Sequence, residues 1–363
     1  FARLTRFHET FLPVTPLPEG SGVTSGTLGP QATTAWSFAS SYQRTFSDRM
    51  LNELRVGDTR RAVARSAATL GMSAGAALRI PGIPGTARFP DTLPTFLIAG
   101  YQQLGSPANT ATTFATGVTE VANTFTWVTG RHTIKAGADV RWARLDVVQP
   151  PSPTGSFTFS SLFTDLPGTS NTGTPLASFL LGHVQQFSID LQQDEIQNRA
   201  HIQEYFAQDD WRVSNRVTIN AGLRYTLNFP STERHNQAAV FNLTTQQLEY
   251  LGRDGHPRAA RTLHANNVGP RVGIVGRVTD RTVARLGYGL VWIEMAGITT
   301  PFTTPAFPFL QTVSQRTLDN IVPAFTLSGG PSVAPVPLTP TAGLGQGVFS
   351  VDRDLGSGYV QQW

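Results

Sequence analysis

The sequence predicts an all-β protein whose long antiparallel strands form part of the wall of a transmembrane outer-membrane β-barrel. Three observations support this fold class: apolar and polar residues alternate over ten or more positions, short polar turns alternate with long loops, and charge is scarce. Charged residues make up 14% of the 363 residues, whereas soluble globular proteins carry about a quarter. Mean hydropathy is −0.13, as expected where lipid-facing and lumen-facing residues alternate.

Composition also excludes other classes. No apolar run approaches the roughly 18 to 20 residues that a membrane-spanning helix needs, so a helical membrane protein is excluded. The net charge of +4 comes almost entirely from arginines that are scattered along the chain without forming a basic patch, and we therefore expect no nucleic-acid partner. The first ten residues do not resemble a signal peptide, and GYVQQW at the end looks like a strand without its continuation. We expect this chain to be part of a longer protein.

Four hairpins are predicted where two alternating segments meet at a short polar turn. The turns lie at Ser47-Asp48-Arg49, Gly130-Arg131, Ser214-Asn215-Arg216 and Thr279-Asp280-Arg281. After the third turn, odd positions from Val217 to Leu227 are apolar, tyrosine or alanine, and even positions from Thr218 to Asn228 are polar or glycine. Strands of this length match those that cross an outer membrane at a tilt.

Long connections rich in proline, glycine, serine and threonine separate these hairpins. They span residues 9–32, 63–116, 149–198, 230–266 and 297–357. Short periplasmic turns alternating with long extracellular loops are typical of outer-membrane barrels, and the alternation predicts ten strands, of which the outermost two are partial. The strand-like segments 96–104 and 183–195, the second preceded by a short helix at residues 175–181, are assigned to loop structure above the membrane.

The positions of the tryptophans also support strands that cross a membrane between short turns and long loops. Trp127 and Trp211 lie three or four residues before a short turn, whereas Trp36, Trp142 and Trp292 lie about eleven or twelve residues from one. Eight residues of tilted strand separate the two levels by roughly 20 Å, close to the apolar band of about 25 Å that aromatic girdles border. Tryptophans in the core of a β-sandwich would have no reason to cluster at two such levels.

The segment FAQDDWRVSNRVTINAGLRY, residues 206–225, resembles the barrel signature of TonB-dependent receptors, in which a QD-x-W strand, a short turn and a GLRY strand follow one another. Residues 266–292, NNVGPRVGIVGRVTDRTVARLGYGLVW, resemble the next hairpin of the Oar-like branch, whose members carry a carboxypeptidase-regulatory-like domain. LNELRVGDTRR at 51–61, HTIKAGADVRW at 132–142 and TPLASFLLG at 174–182 agree with this assignment. The similarity covers most of the chain in the right order.

This resemblance implies a 22-stranded barrel that is closed by an N-terminal plug and takes up a solute with energy from a periplasmic TonB complex. Residues 1–363 then represent a partial receptor-like barrel, because neither a plug nor a regulatory-like domain is recognisable in them. The implied partners are outer-membrane lipid, an unknown solute, and the TonB complex through the missing plug. Without the remaining strands, the two free sheet edges would be costly in lipid.

Motifs that suggest catalysis are better explained by ordinary loop and strand residues. Gly71-Met72-Ser73-Ala74-Gly75 matches a nucleophile elbow, yet no buried strand precedes it and prolines follow where a helix should run. His201 and Glu204 have metal-ligand spacing on a helix but face opposite sides of a strand. The adjacent Asp209 and Asp210 diverge in the same way, which leaves Asp209 awkwardly on the lipid-facing side. We expect no catalytic residue, no cofactor and no metal site.

Arginines on the polar side of the strands are the candidate functional residues. In the lumen they could contact a plug or an anionic solute, or they could simply be solvated and paired across strands, as polar barrel interiors usually are. These candidates are Arg141, Arg224, Arg271, Arg277 and Arg285.

Three functions remain open from the sequence. The first is a segment of an outer-membrane receptor and transporter whose loops select a solute. The second is a surface structural or adhesion protein that displays the same loops. The third is a secreted β-sandwich enzyme, which strand length and loop alternation oppose. We expect a non-enzymatic protein of the cell outer membrane.

Overall fold

The computed structural model describes residues 1–13, 29–67, 78, 80–84, 92–110, 112–170, 172–192, 194–293 and 306–363. Within these residues, the main element is a ten-stranded antiparallel sheet in which each strand pairs with the next wall strand along the chain. No helix in the described ranges is both long enough and apolar enough to cross a membrane.

The strands of this sheet are called the wall strands below, and their number, ten, agrees with the sequence prediction. They are β1 (Ala2–Phe11), β2 (Gln31–Ser47), β3 (Met50–Arg65), β5 (Thr112–Thr129), β6 (His132–Val148), β10 (Ile196–Arg212), β11 (Val217–Glu233), β14 (Val268–Thr279), β15 (Thr282–Trp292) and β18 (Tyr359–Gln362). The longest has 18 residues, more than the roughly 9 to 11 that cross a bilayer at a tilt. The wall therefore extends beyond the membrane.

All four predicted short turns are confirmed. The turn between β2 and β3 contains only Asp48 and Arg49, and the turn between β5 and β6 contains only Gly130 and Arg131. Gly130 has a φ of 58°, a left-handed conformation that glycine adopts without steric cost and that tight hairpins require. The hairpin positions in the sequence thus fix the order of the strands in the wall.

The pairing register places the two side-chain classes on opposite faces of the wall. Leu223 pairs with Ala207, which pairs with Ala136, and the next residue along β11, Arg224, pairs with Phe206. The face that carries Leu223 and Ala207 is mainly apolar and is here called the lipid-facing side, whereas the face that carries Arg224 and Phe206 is more polar and is here called the lumenal face. Leu223 and Leu286 expose 50% and 73% of their surface, as expected for side chains that meet lipid.

The remaining strands lie outside the wall, between its long-loop ends. They are β4 (Thr95–Ile98), β7 (Ser156–Phe159), β8 (His183–Val184), β9 (Gln186–Gln192), β12 (Ala239–Asn242), β13 (Gln247–Tyr250), β16 (Leu310–Arg316) and β17 (Phe325–Thr326). Helix α1 spans Pro175–Leu180, and its N-cap Thr174 accepts a hydrogen bond from the Ala177 amide. The segments 96–104 and 183–195 thus belong to loop structure, as predicted.

We predict that a spin label at Leu223 or Leu286 contacts the lipid chains. The chain contains no cysteine, so one introduced cysteine carries the label specifically. Collision with dissolved oxygen should dominate for Leu223→Cys and Leu286→Cys, because oxygen concentrates in hydrocarbon, whereas a water-soluble nickel chelate should dominate for Asn220→Cys on the lumenal face. Power-saturation electron paramagnetic resonance in vesicles measures both. Equal nickel access at all three sites would contradict the assignment of the faces.

Candidate functional site

A buried carboxylate holds the lumenal face together at the middle of the wall. The side chain of Glu204 on β10 is 8% exposed. Arg141 on β6 donates to it from Nη2 at 2.7 Å, and Arg224 on β11 donates from Nη1 at 3.2 Å. Thr226 adds a hydroxyl hydrogen bond at 3.2 Å. A buried carboxylate is stable only when paired and hydrogen-bonded, and here both neighbouring strands provide a cation.

The groups around this carboxylate extend the network along the lumenal face. The Arg141 Nε lies 3.2 Å from Asp139 Oδ1 on the same strand. The Arg224 guanidinium lies 5.8 Å from the centre of the Phe206 ring, within cation–π range. The ring in turn lies over Gly137, where a Cβ would come within 2.7 Å of its Cε1 atom. A glycine at position 137 therefore leaves the space that the ring occupies.

An open cavity of about 1040 Å³ adjoins this network and is lined mainly by β10, β11, β14 and β15, with Lys135 from β6. Its polar lining contains four cationic side chains and, among the described residues that line it, no carboxylate. The cations are Lys135, Arg224, Arg271 and Arg285. Arg224 is paired with Glu204, whereas Lys135, Arg271 and Arg285 form no ion pair among the described residues, and the three generate a positive potential that attracts anions.

The structure brings together four of the five arginines that the sequence singles out. Arg141 and Arg224 share Glu204, and Arg224, Arg271 and Arg285 line the cavity. Arg277 is outside the cavity lining: it lies at the short-turn end of β14, where its amide donates to the Arg216 carbonyl at 2.8 Å. The side chain of Arg277 is on the same face as the others by register.

The structure also resolves the doubtful motifs. His201 and Glu204 do face opposite sides, since the His201 ring stacks on Phe229 at 3.8 Å whereas Glu204 binds Arg141. Asp209 lies on the lipid-facing side, as predicted, and gains a partner there: His132 Nδ1 is 2.6 Å from its Oδ2. The segment 71–75 lies outside the described residues. Within the residues that are described, no group of three or more potential ligands could hold a metal ion.

A four-stranded sheet, here called the cap sheet, is built from three different long loops. Its order is β16, β9, β7, β4. Strand β4 comes from the loop after β3, β7 and β9 come from the loop after β6, and β16 comes from the loop after β15. Strands β4 and β7 pair in parallel, whereas the other pairs are antiparallel. Loops that are separate in sequence therefore form one folded unit.

Aromatic packing stabilises the cap sheet. Phe157, Phe159 and Phe187 are completely buried. The rings of Phe157 and Phe187 lie 4.8 Å apart, and Phe159 meets Phe179 of α1 edge to face at 5.1 Å. Burying one such side chain contributes about 1.5 to 3 kcal/mol. A core of this kind gives the described parts of these three loops a defined fold.

Polar contacts fix the pairing between β9 and β16. Asp190 on β9 accepts from the Thr312 hydroxyl on β16 at 2.5 Å and from the Ser152 amide at 2.8 Å. Burial raises the pKa of the Asp190 carboxyl above its usual value, and these two hydrogen bonds only partly oppose the rise. Asp190 thus links β9 to two other segments of the cap.

A second loop cluster connects the last two long loops. Leu248 and Tyr250 of β13 pack with Ala342 in a 3-10 helix that spans Pro340–Gly343. The Tyr250 hydroxyl donates to the Thr339 carbonyl at 3.0 Å, and burial raises the pKa of this hydroxyl. Glu249 on the same strand forms an ion pair with Arg353. The loop that follows β15 therefore contacts both the cap sheet and this cluster.

Sequence reasoning missed three kinds of functional residue. Glu204 enters it only as a metal ligand to be rejected, although its even position on β10 already places it on the lumenal face. Lys135 is missed because only arginines on the polar side of the strands are taken as candidates, although Lys135 lies on the same side of β6 as Arg141. The buried phenylalanines of the cap are missed altogether, because short loop segments such as FTF at 157–159 give too little alternation to identify a strand.

We predict that Glu204→Gln destabilises the wall by about 2 kcal/mol. The neutral amide removes the negative charge that Arg141 and Arg224 share, and the cost stays below that of a fully buried pair because both arginines still reach solvent. Urea unfolding in lipid vesicles, followed by tryptophan fluorescence, measures the change. Asp210→Asn is the matched control on the same strand and face, and an equal loss in both variants would argue against the network.

We predict that Phe187→Ala loosens the cap sheet and leaves the wall intact. Removing a fully buried ring costs about 3 to 5 kcal/mol. Hydrogen exchange followed by mass spectrometry should show faster exchange over residues 186–192 and 310–316, with unchanged protection in residues 196–212. Leu180→Ala, at a position that is 75% exposed, should change neither. Unaltered exchange in Phe187→Ala would mean that the cap does not depend on this core.

Comparison with known proteins agrees with the geometry of the wall. The family model described as "Outer membrane beta barrel domain" matches residues 1–363. No curated protein matches the sequence. The match covers every wall strand and both loop clusters, and such domains lie in the outer membrane. The chain therefore belongs to the outer membrane beta barrel domain family.

Proposed function

We propose that this chain supplies barrel wall and solute-selecting loops to a TonB-dependent receptor that takes up a solute across the outer membrane. The resemblance of residues 206–225 and 266–292 to that receptor class supports the proposal, as does the polar lumenal face. The observation that carries it is the cap sheet, because three long loops are joined there into one unit at the long-loop end of the wall.

A joined cap suits a gate better than independent loops would. Residues that only need to be displayed can extend separately from each hairpin, and nothing then requires them to pair with one another. In the cap sheet, β16 pairs with β9 along seven residues, so the loop that follows β15 cannot move away from the loop that follows β6 without breaking this ladder. A ligand that changes this pairing would open or close a path to the lumen.

The positive charge of the lumenal cavity suggests which kind of chemical group it binds. Lys135, Arg224, Arg271 and Arg285 line it without an acidic residue among the described lining. Arginine binds carboxylate and phosphate through two parallel hydrogen bonds. An anionic solute in passage, or acidic residues of a plug, would both be stabilised against this surface.

The alternative function is surface display or adhesion. One turn of the loop after β15 favours it, because Leu318, Ile321 and Val322 are 98%, 78% and 61% exposed. Exposed apolar side chains that cluster in a short segment are typical of protein contact sites. In this case the cap would present the turn to a partner, and movement of the cap would be unnecessary.

A reversible crosslink of the cap separates the two functions. Ser188 on β9 lies directly opposite Ser314 on β16, and Cβ atoms of such partners are about 4.5 to 5.5 Å apart, close to disulfide reach. Ser188→Cys with Ser314→Cys would tie two loops together. Ser156→Cys with Ser188→Cys is the matched control, because this pair is also opposed but lies within one loop.

The full-length protein is produced in cells that lack the native gene, and a defined mixture of peptides, oligosaccharides and ferric chelates serves as the probe. We predict that energised wild-type cells deplete at least one compound from the medium, that a proton uncoupler stops this, and that the two-loop crosslink reduces it at least tenfold until dithiothreitol is added. The one-loop crosslink should have little effect. Uptake that ignores the uncoupler and both crosslinks would contradict the proposal, and cell attachment without any uptake would favour display.

A further inference from the structure

We propose that arginines on the lipid-facing side of the wall bind the phosphate-bearing headgroup of a lipid in the outer leaflet. The residues are Arg6 on β1, Arg60 on β3 and Arg144 on β6, here called the outer arginine cluster. This site is independent of the lumenal cavity and of solute uptake. It requires only that the wall stands in the outer membrane.

The three arginines lie in a single cross-strand row. Arg6 pairs with Trp36, Trp36 pairs with Arg60, Arg60 pairs with Gly117, and Gly117 pairs with Arg144. Directly opposed residues point to the same face of a sheet. Five adjacent strands thus contribute three arginines, one tryptophan and one glycine to a continuous strip.

The strip is on the lipid-facing side. Arg144 follows Val140 and Trp142 at alternate positions of β6, and Trp142 is 47% exposed. The Arg6 guanidinium lies 5.3 Å from the centre of the Trp36 ring. Lumenal residues such as Arg141 occupy the other alternate positions. The cluster therefore faces away from the lumen.

Its depth corresponds to the headgroup region of the outer leaflet. Tryptophan marks the membrane interface in outer-membrane barrels. Arg144 lies two residues beyond Trp142 toward the long loops, which is about 5 Å farther out at 3.3 Å per residue and a tilt of about 40°. Arg60 is the register partner of Trp36 itself. Both arginines thus lie at or just outside the aromatic level, on the side of the extracellular loops.

The cluster has more positive charge than its own carboxylates neutralise. Asp58 accepts from Arg60 at 2.9 Å and from the Thr119 hydroxyl at 2.6 Å. Asp146, the next carboxylate on this side of β6, is held by Arg199. Within the part of the chain that the structure describes, neither Arg6 nor Arg144 forms an ion pair. Three arginines against the one carboxylate of Asp58 leave a net charge of about +2.

Arg144 also has an unused donor. Its side chain lies across Gly117, where a Cβ would come within 2.8 Å of the Nε atom. This Nε is buried and has no hydrogen-bond partner among the described residues. A headgroup phosphate would therefore bind the Nη1 and Nη2 groups of Arg144, which are not among the buried atoms and have no hydrogen-bond partner among the described residues.

A lipid satisfies the chemistry of the strip better than a free anion does. Guanidinium groups bind phosphate oxygens through charge-assisted hydrogen bonds. Phe38 and Trp142 lie on the same face two residues nearer the membrane centre than Trp36 and Arg144, and both rings are partly exposed. A phosphate on an acylated headgroup can therefore bind the arginines while its chains lie against these rings. Inorganic phosphate would make only the polar half of the contact.

Native mass spectrometry of the purified full-length protein in detergent tests this site. The probes are bis-phosphorylated lipid A and the same lipid with its phosphates removed. We expect wild-type protein to retain the phosphorylated form preferentially, and Arg6→Gln with Arg144→Gln to retain it about 20- to 30-fold less, at about fivefold per arginine near an anionic surface. Arg6→Lys with Arg144→Lys keeps both charges and should keep most of the binding.

The matched control is Arg216→Gln with Arg281→Gln, which removes two arginines from short turns at the opposite end of the wall and should not change retention. Electrophoretic mobility of unboiled samples verifies that every variant is folded. The proposal is wrong if the Arg6 and Arg144 variant keeps its preference for the phosphorylated lipid, if the turn variant loses as much, or if millimolar inorganic phosphate displaces the lipid completely.

Discussion

The interior of a bilayer offers no hydrogen-bond partner to a peptide group, so every wall strand must pair with its neighbours along its whole membrane-spanning length. Pairing fixes the pleat, and the pleat sends alternate side chains to lipid and lumen. The register across ten strands then determines which residues meet: Glu204 lies between Arg141 and Arg224 because the strands that carry them are adjacent. Lipid contact, lumenal chemistry and the platform for the cap all depend on this one ladder.

The two faces of the wall differ in how their carboxylates are paired with basic side chains. On the lumenal face, Glu204 is shared by two arginines whose side chains are partly exposed. On the lipid-facing side of the described strands, Asp58, Asp146 and Asp209 each contact a basic side chain. Such pairing reduces the cost of a carboxylate at the edge of hydrocarbon, where an isolated ion is expensive. The ring of His132, which binds Asp209, also stacks on Trp211 at 5.5 Å, within the aromatic level.

The sequence predicts the wall well because its signal is local: a period of two over ten or more residues and a short turn give strand order without knowledge of distant contacts. The cap is different. Segments 96–104 and 183–195 can be identified as strand-like, but their partners lie in other loops, and parallel pairing of β4 with β7 has no local signature. The lumenal site falls between these cases. Alternation puts Arg141 and Arg224 on one face, whereas their common partner depends on register, which one sequence does not specify.

The pairing of β9 with β16 has a consequence for biogenesis. Thr312 and Asp190 are 122 positions apart, and four wall strands are formed from the chain between them. Closing so long a loop is entropically unfavourable until those strands have brought its ends together. Until then, β16 cannot add Val313 to the core that Phe157 and Phe187 form within one loop, and this incomplete core is exposed to aggregation. The cap sheet is therefore completed only after these four wall strands have formed.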